Sequence, residues 1–70
     1  MSYAIKNERT GRFVYATDYR YHPPHQKTSR YRALLFEDYE TADRARKSRR
    51  CTSYYEIVPV IITEEQEHEL

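Results

Sequence analysis

The stretch YAIKNERTGRFVYAT, residues 3 to 17, decides the fold of this 70-residue chain. YAIKN and GRFVYAT, two runs rich in β-branched and aromatic side chains, flank NERTG, where Asn7 and Gly11 can supply turn conformations. The pattern predicts a β-hairpin. Gly11 is the only glycine of the chain, and its place in this turn supports the prediction because glycine adopts positive φ at the lowest cost.

Alternation of side chains assigns faces to both predicted strands. Successive side chains of a strand point to opposite faces, so Tyr3 and Ile5 share one face of the first strand. In the second strand, Phe13 and Tyr15 share the face opposite to that of Ala16. One side of the hairpin is then expected to be covered by a helix.

The next segment, DYRYHPPHQKTSRYR at 18 to 32, contains no aliphatic side chain. Pro23 and Pro24 cannot donate to a sheet ladder and bias their neighbours toward extended geometry, which predicts a long exposed loop. Ordering such a loop costs on the order of 1 kcal/mol or more per residue in backbone entropy. Either its tyrosines pack on the sheet or it becomes ordered on a partner. We expect a mixture, with Tyr19 or Tyr31 packed at the loop ends and the middle, from Arg20 to Ser29, available for contact.

Beyond the loop, YRALLF at 31 to 36 predicts a third strand, and EDYETADRARKSRRC at 37 to 51 predicts a helix of about three turns. Asp38 is the expected N-cap. The helix face that packs on the sheet is expected to consist of Tyr39, Ala42, Ala45 and Arg49.

The last predicted strand is YYEIVPVII at 54 to 62. Glu56 facing outward implies that Tyr55 and Ile57 face inward. Pro59 lacks a ladder donor, so this strand should lie at an edge of the sheet or be interrupted there.

The resulting order β-β-loop-β-α-β defines an α+β fold, a small antiparallel sheet of three to four strands with one helix packed on one face. Residues 1 to 62 form a single domain. The remaining segment, TEEQEHEL at 63 to 70, is an acidic tail that we expect to be disordered.

Charge is segregated along the chain. Residues 1 to 62 hold all 12 Lys and Arg against seven Asp and Glu, a balance of +5, whereas the tail carries four Glu. A basic body favours an anionic partner, either nucleic acid or an acidic protein surface, and the acidic tail could mask the basic helix. A single cysteine, Cys51, and no apolar run near the ~18 residues of a membrane span favour a cytoplasmic protein without a membrane partner.

Catalytic and metal-binding motifs are not found in the sequence. No serine lies in a Gly-flanked elbow, and one glycine cannot build a phosphate-binding loop. His22, His25 and Cys51 fall short of the four ligands of a structural zinc site. We therefore expect no enzyme, no metal and no cofactor.

The basic and aromatic clusters remain as candidate contacts. Arg and Tyr anchor protein interfaces, and the same residue types contact phosphates and stack on bases, so composition leaves both kinds of partner open. The candidate partner-binding residues lie in the loop and on the basic helix: Tyr19, Arg20, Tyr21, Arg30, Arg32, Arg46, Lys47 and Arg50.

Four stretches, TGRFVYATDYR, TSR, RALLFEDYETA and RRCTSYYEIVPV, resemble small proteins encoded by bacteriophages and prophages of Gram-positive bacteria. The resemblance covers about residues 1 to 60, with Lys27 where the pattern has an arginine before TS. It implies an anti-CRISPR-like inhibitor that acts in the cytoplasm of a bacterial host by binding a defence protein or ribonucleoprotein. The alternatives are a small nucleic-acid-binding module and an assembly protein that self-associates along strand edges.

Overall fold

The computed structural model describes residues 1–51 and 54–61. The elements are β1 (Ser2–Asn7), β2 (Phe13–Asp18), β3 (His25–Ser29), α1 (Tyr39–Ser48) and β4 (Tyr55–Val60). The strands form one four-stranded antiparallel sheet in the order β3-β2-β1-β4, with α1 beside it. The predicted α+β class is confirmed, and the tail predicted at 63 to 70 lies outside the described residues. None of the described helical residues form a segment long and apolar enough to cross a membrane.

The predicted hairpin forms and is closed by its own turn residues. The Asn7 N–H donates to the carbonyl of Arg12, and the Gly11 N–H donates to the carbonyl of Asn7, each at 2.8 Å. The Asn7 side-chain oxygen accepts from the backbone N–H groups of Arg9 and Thr10. Gly11 has φ 72°, the left-handed conformation for which glycine is best suited.

The prediction of a strand at 31 to 36 is wrong. Only Phe36 makes a bridge, exchanging two backbone hydrogen bonds of 2.8 and 2.9 Å with Tyr3. Leu34 donates its N–H to the carbonyl of Val14, 3.0 Å away. The segment thus binds β1 with one residue and β2 with another, because the two strands pair next to their turn and separate further along. Its apolar side chains resemble those of a strand, but within this segment only Phe36 pairs with a strand residue.

The segment predicted to be a long loop contains the missing strand. β3 pairs with β2 from His25 to Ser29, so this stretch is ordered on its own sheet and needs no partner for that. Its backbone gains ladder hydrogen bonds without burying apolar side chains. Pro23 and Pro24 precede the strand and therefore cost it no ladder donor, and the His22–Pro23 peptide is cis.

A β-bulge changes the faces of β2. Val14 pairs with Thr28 and Ala16 pairs with Lys27, which leaves Tyr15 as an extra residue. Two residues of a bulged strand oppose one residue of its partner, so Tyr15 and Ala16 lie together opposite Lys27. The predicted separation of Tyr15 from Ala16 is wrong for this reason.

The core lies between α1 and one face of the sheet. Ile5, Val14 and Cys51 form the buried cluster, and α1 contributes the half-buried Ala45 to it. Other half-buried side chains packed against this cluster are Phe36, Tyr55 and Ile57.

β4 is an edge strand, as the proline in it predicts. Glu56 is exposed, whereas Tyr55 and Ile57 are half-buried, which confirms the predicted inward and outward positions.

The helix begins as predicted. The Asp38 carboxylate accepts a 2.7 Å hydrogen bond from the backbone N–H of Thr41, which satisfies one of the free donors of the first turn. This bond holds the pKa of Asp38 below its ordinary value. Ala42 is fully buried, and the ring of Tyr39 packs edge-on against Tyr3 with centroids 6.2 Å apart.

Candidate macromolecule-binding surface at the helix end

The C-terminus of α1 ends in an unusual backbone conformation. The Arg50 N–H donates to the carbonyl of Lys47, and the Cys51 N–H donates to the carbonyl of Arg46, at 3.1 and 3.0 Å. This is the pattern of a Schellman motif, whose left-handed position is usually a glycine. Here Arg50 occupies it with φ 55°. An L-residue with a Cβ in this conformation costs roughly 1 kcal/mol or more relative to glycine.

Side chains from two strands hold this helix end in place. The Gln26 amide donates a 2.6 Å hydrogen bond to the backbone carbonyl of Arg49. The Arg49 guanidinium donates to the hydroxyl of Thr17 at 3.0 Å, and that hydroxyl donates to the side-chain oxygen of Gln26 at 2.7 Å. The closed network joins the helix end to β2 and β3 and thereby fixes the backbone that presents Arg50.

A surface depression of about 340 Å³ adjoins Arg50. Its lining combines the start of β3, the helix end and β4: Pro23, Pro24, His25, Gln26, Arg50 and Tyr55. The ring of Tyr21 stacks on His25 with centroids 3.8 Å apart and planes within 2°. We call the continuous patch formed by Tyr21, Pro23, Pro24, His25 and Arg50 the helix-end surface.

Of the predicted loop residues, Arg20 is paired and Tyr19 is free to make contacts. The Arg20 guanidinium lies 2.7 Å from a carboxylate oxygen of Asp18. Its hydrogen bonds lower the pKa of Asp18, and the same pairing raises the pKa of Arg20. Tyr19 is 56% and Tyr31 90% exposed, so the expectation that one of them packs at the loop ends is wrong. Arg20 therefore brings less net charge to the surface than the sequence indicates.

On the helix, one carboxylate pairs with two of the predicted cations and compensates one of their two positive charges. The Arg46 guanidinium and the Lys47 ammonium lie 2.9 and 3.0 Å from the carboxylate oxygens of Asp43. The hydrogen bonds from Arg46 and Lys47 hold the pKa of Asp43 below its ordinary value. Within residues 1–51 and 54–61, no ion pair reaches Arg50. Unlike Arg49, whose guanidinium donates to the Thr17 hydroxyl, the exposed Arg50 also has no side-chain hydrogen bond within these residues.

The structure divides the eight predicted contact residues into two groups. The first group consists of three residues after β2, Tyr19, Arg20 and Tyr21, and three at the end of α1, Arg46, Lys47 and Arg50. Tyr21 belongs to the helix-end surface through its stacking on His25. The second group is Arg30 and Arg32, which follow the C-terminal end of β3. The Arg32 guanidinium stacks over the ring of Tyr15, 4.5 Å from its centroid.

Sequence reasoning missed Pro23, Pro24 and His25 as parts of a surface, although the HPPH motif was visible. It considered the histidines only as metal ligands. His25 instead stacks on Tyr21, and Cys51 lies in the core, where burial raises the pKa of its thiol. The part of the chain that the structure describes brings together no group of three His, Cys, Asp or Glu side chains that could hold a metal ion.

Comparisons with protein-family models, with characterised proteins and with solved structures gave no match. What the surface can do chemically therefore follows from its own side chains. It offers one uncompensated guanidinium beside stacked rings and two prolines, a combination that suits binding.

Proposed function

We propose that the protein is a non-enzymatic, phage-type inhibitor that binds a host defence protein or ribonucleoprotein through the helix-end surface. The observation that carries the proposal is Arg50, which holds a left-handed position where glycine would be more stable and makes no ion pair with residues 1–51 or 54–61. Backbone strain of this kind concentrates at functional sites, where a side chain is needed at the cost of stability.

The chemistry of the surface favours an acidic patch on the partner. A carboxylate can accept two parallel hydrogen bonds from the Arg50 guanidinium, which is the strongest geometry for such a pair. Tyr21 and Tyr19 are 46% and 56% exposed and supply amphipathic contact area beside it. Tyrosine and arginine are the residues that most often dominate binding energy at protein interfaces.

The proposed mechanism is steric and stoichiometric. The protein occupies a surface that the defence factor needs and releases no product, so one copy inactivates one copy. The resemblance to small phage proteins supports a defence factor as the partner and the bacterial cytoplasm as the place of action. The balance of +5 before the tail disfavours a protein that imitates nucleic acid, because such mimics are acidic.

The proposal is tested by capture with the tagged protein from lysate of a bacterium that carries an active CRISPR system. The expected result is saturable recovery of a component of that system at equal molar amounts, with the protein component retained after nuclease treatment. Recovery of no defence component at micromolar protein would remove the proposal. Loss of the whole captured material on nuclease treatment would also remove it, in favour of a nucleic-acid-binding module.

A further inference from the structure

A second surface lies on the side of the sheet that α1 does not cover. Residues paired across antiparallel strands point to the same face, so Ile5 and Ile57 face α1, where both belong to or contact the core cluster. Lys6 and its partner Glu56 consequently face the other way. We call this second side of the sheet the open face.

Aromatic rings lie side by side on the β2 and β3 half of the open face. Phe13 is the partner of Lys6 and shares its face. The bulge sets Tyr15 beside Ala16 on that same side, and Tyr15 is half-buried. At the start of β3, His25 pairs with Asp18 and carries the stacked ring of Tyr21. Phe13 is half-buried like Tyr15, whereas Tyr21 and His25 are exposed, so this half of the face presents partly exposed rings.

Positive charge accompanies these rings. Lys27 is exposed on β3 opposite Ala16, and the exposed Arg32 lies over Tyr15 at 4.5 Å. Asp18 is the carboxylate of β2 and β3, and Arg20 pairs with it at 2.7 Å. The half of the sheet formed by β2 and β3 thus combines partly exposed rings with two cations, Lys27 and Arg32, that make no ion pair with the described residues.

The β4 side of the open face differs in charge. Glu56 shares a hydrogen bond with Glu8, and both the bond and the charge of Glu8 raise the pKa of Glu56. Two adjacent carboxyl groups repel a phosphate backbone, so a polyanion is favoured on the β2 and β3 side and disfavoured on this one.

We propose that the β2 and β3 half of the open face binds single-stranded nucleic acid. Bases stack on Phe13 and on the Tyr21–His25 pair, which this face shares with the helix-end surface. Lys27 contacts one phosphate, and Arg32, which lies over the Tyr15 ring, contacts another. Sheet surfaces with exposed aromatic rings recognise two or three unpaired bases in this way. A duplex fits poorly, because the B-DNA major groove admits a helix or a two-stranded ribbon and not a sheet of four strands.

The test is fluorescence anisotropy of a labelled twelve-nucleotide oligouridine with the full chain at low salt. With two phosphates contacted, the logarithm of the binding constant should fall with the logarithm of salt concentration at a slope of about −1.4. Arg32→Gln should reduce this slope to about −0.7, because one phosphate contact is lost. Tyr15→Leu removes the ring under Arg32 and should weaken binding in the same direction. Arg44→Gln, an exposed cation on α1, is the matched control and should bind as the unmodified protein does.

Three other results would overturn the proposal that this face binds single-stranded nucleic acid. No binding below 100 µM, about the weak limit of non-specific nucleic-acid affinity, would do so. Equal affinity for a blunt duplex would show that stacking plays no part, and an equal loss in Arg44→Gln would show a diffuse charge effect. Because Tyr15 is half-buried, the exposed Lys27→Gln variant repeats the test without a risk to folding. Capture of the defence factor through Arg50 should be unchanged in Lys27→Gln, so the two proposals fail separately.

Discussion

The Gln26 side-chain amide lies 2.6 Å from the backbone carbonyl of Arg49 and donates a hydrogen bond to it. The last carbonyls of a helix have no partner within the helix, so a strand residue here completes the end of α1. The bond also couples β3, which begins at His25, to the residue before Arg50. The stretch that contributes no apolar side chain to the core is thereby part of the structure that positions the candidate site.

Gln26→Leu should lower the free energy of unfolding by about 1–3 kcal/mol, because it leaves the carbonyl of Arg49 unsatisfied and removes the partner of the Thr17 hydroxyl. Urea denaturation followed by circular dichroism measures the change. Lys27→Leu is the neighbouring control, exposed and on the opposite face, and should stay within about 0.5 kcal/mol. Similar losses in both variants would show that the network contributes nothing specific.

Arg50→Gly should stabilise the protein by about 1 kcal/mol, because glycine adopts the left-handed conformation without a Cβ penalty. Chemical denaturation at an unchanged m-value gives the difference. Arg44→Gly places the same change inside the helix and should instead destabilise by about 1 kcal/mol. A destabilised Arg50→Gly would mean that the Arg50 side chain makes a stabilising contact that outweighs its backbone strain.

Glu56→Gln should raise the thermal midpoint at pH 7. The hydrogen bond with Glu8 and the charge of Glu8 raise the pKa of Glu56, so the folded protein binds this proton more readily than the unfolded chain and the ionised form opposes folding. As the pH falls through the raised pKa, Glu56 becomes protonated and the advantage of the variant should disappear. Scanning calorimetry between pH 3 and pH 7 follows both effects.

Glu8→Gln is the matched variant, since it removes the other member of the same pair. The double variant should gain less than the two single gains added together, because one repulsion cannot be removed twice. A gain in Glu56→Gln that persists unchanged at pH 3 would contradict this explanation.

Pro59→Val should promote self-association. Both backbone groups of Tyr3 bond to Phe36, so they point away from β4, and the pair Tyr3 and Pro59 has no ladder hydrogen bond. The Pro59 nitrogen therefore lies on the free edge of the sheet, where proline withholds a donor from a second chain. Valine restores that donor, and light scattering should detect dimers at concentrations where the unmodified protein shows none.

The control for this prediction is Val58→Thr, a change in the same strand at a residue whose backbone faces β1. It should leave the scattering mass unchanged. Dimers of the unmodified protein at the same concentration would contradict the proposed role of Pro59 and favour an assembly protein.

The hairpin, the helix start and the edge position of β4 could be predicted because their signals are local. Asn7 and Gly11 encode the turn, and Asp38 provides the cap that begins α1. β3 could not be predicted in this way. Its side chains are polar, and its stability comes from backbone pairing with β2, a tertiary interaction that hydrophobic patterning does not reveal.

The candidate site was predictable in residue type and not in geometry. Arg50 was one of several clustered arginines in the sequence, and nothing local distinguishes it from Arg46, which pairs with Asp43. Its uncompensated charge depends on which cations Asp43 reaches, and its position depends on Gln26, more than twenty residues earlier. Both depend on contacts that only the folded chain makes.

The most direct test of the central proposal compares Arg50→Glu with Arg44→Glu, two charge reversals on the same basic segment. Both are exposed, and equal circular dichroism spectra would show that both variants fold. Titration against the captured defence factor should show unchanged affinity for Arg44→Glu and at least a tenfold loss for Arg50→Glu, as expected when one partner of a desolvated charge pair is reversed. Equal affinities of the two variants would contradict the assignment of the helix-end surface as the binding site.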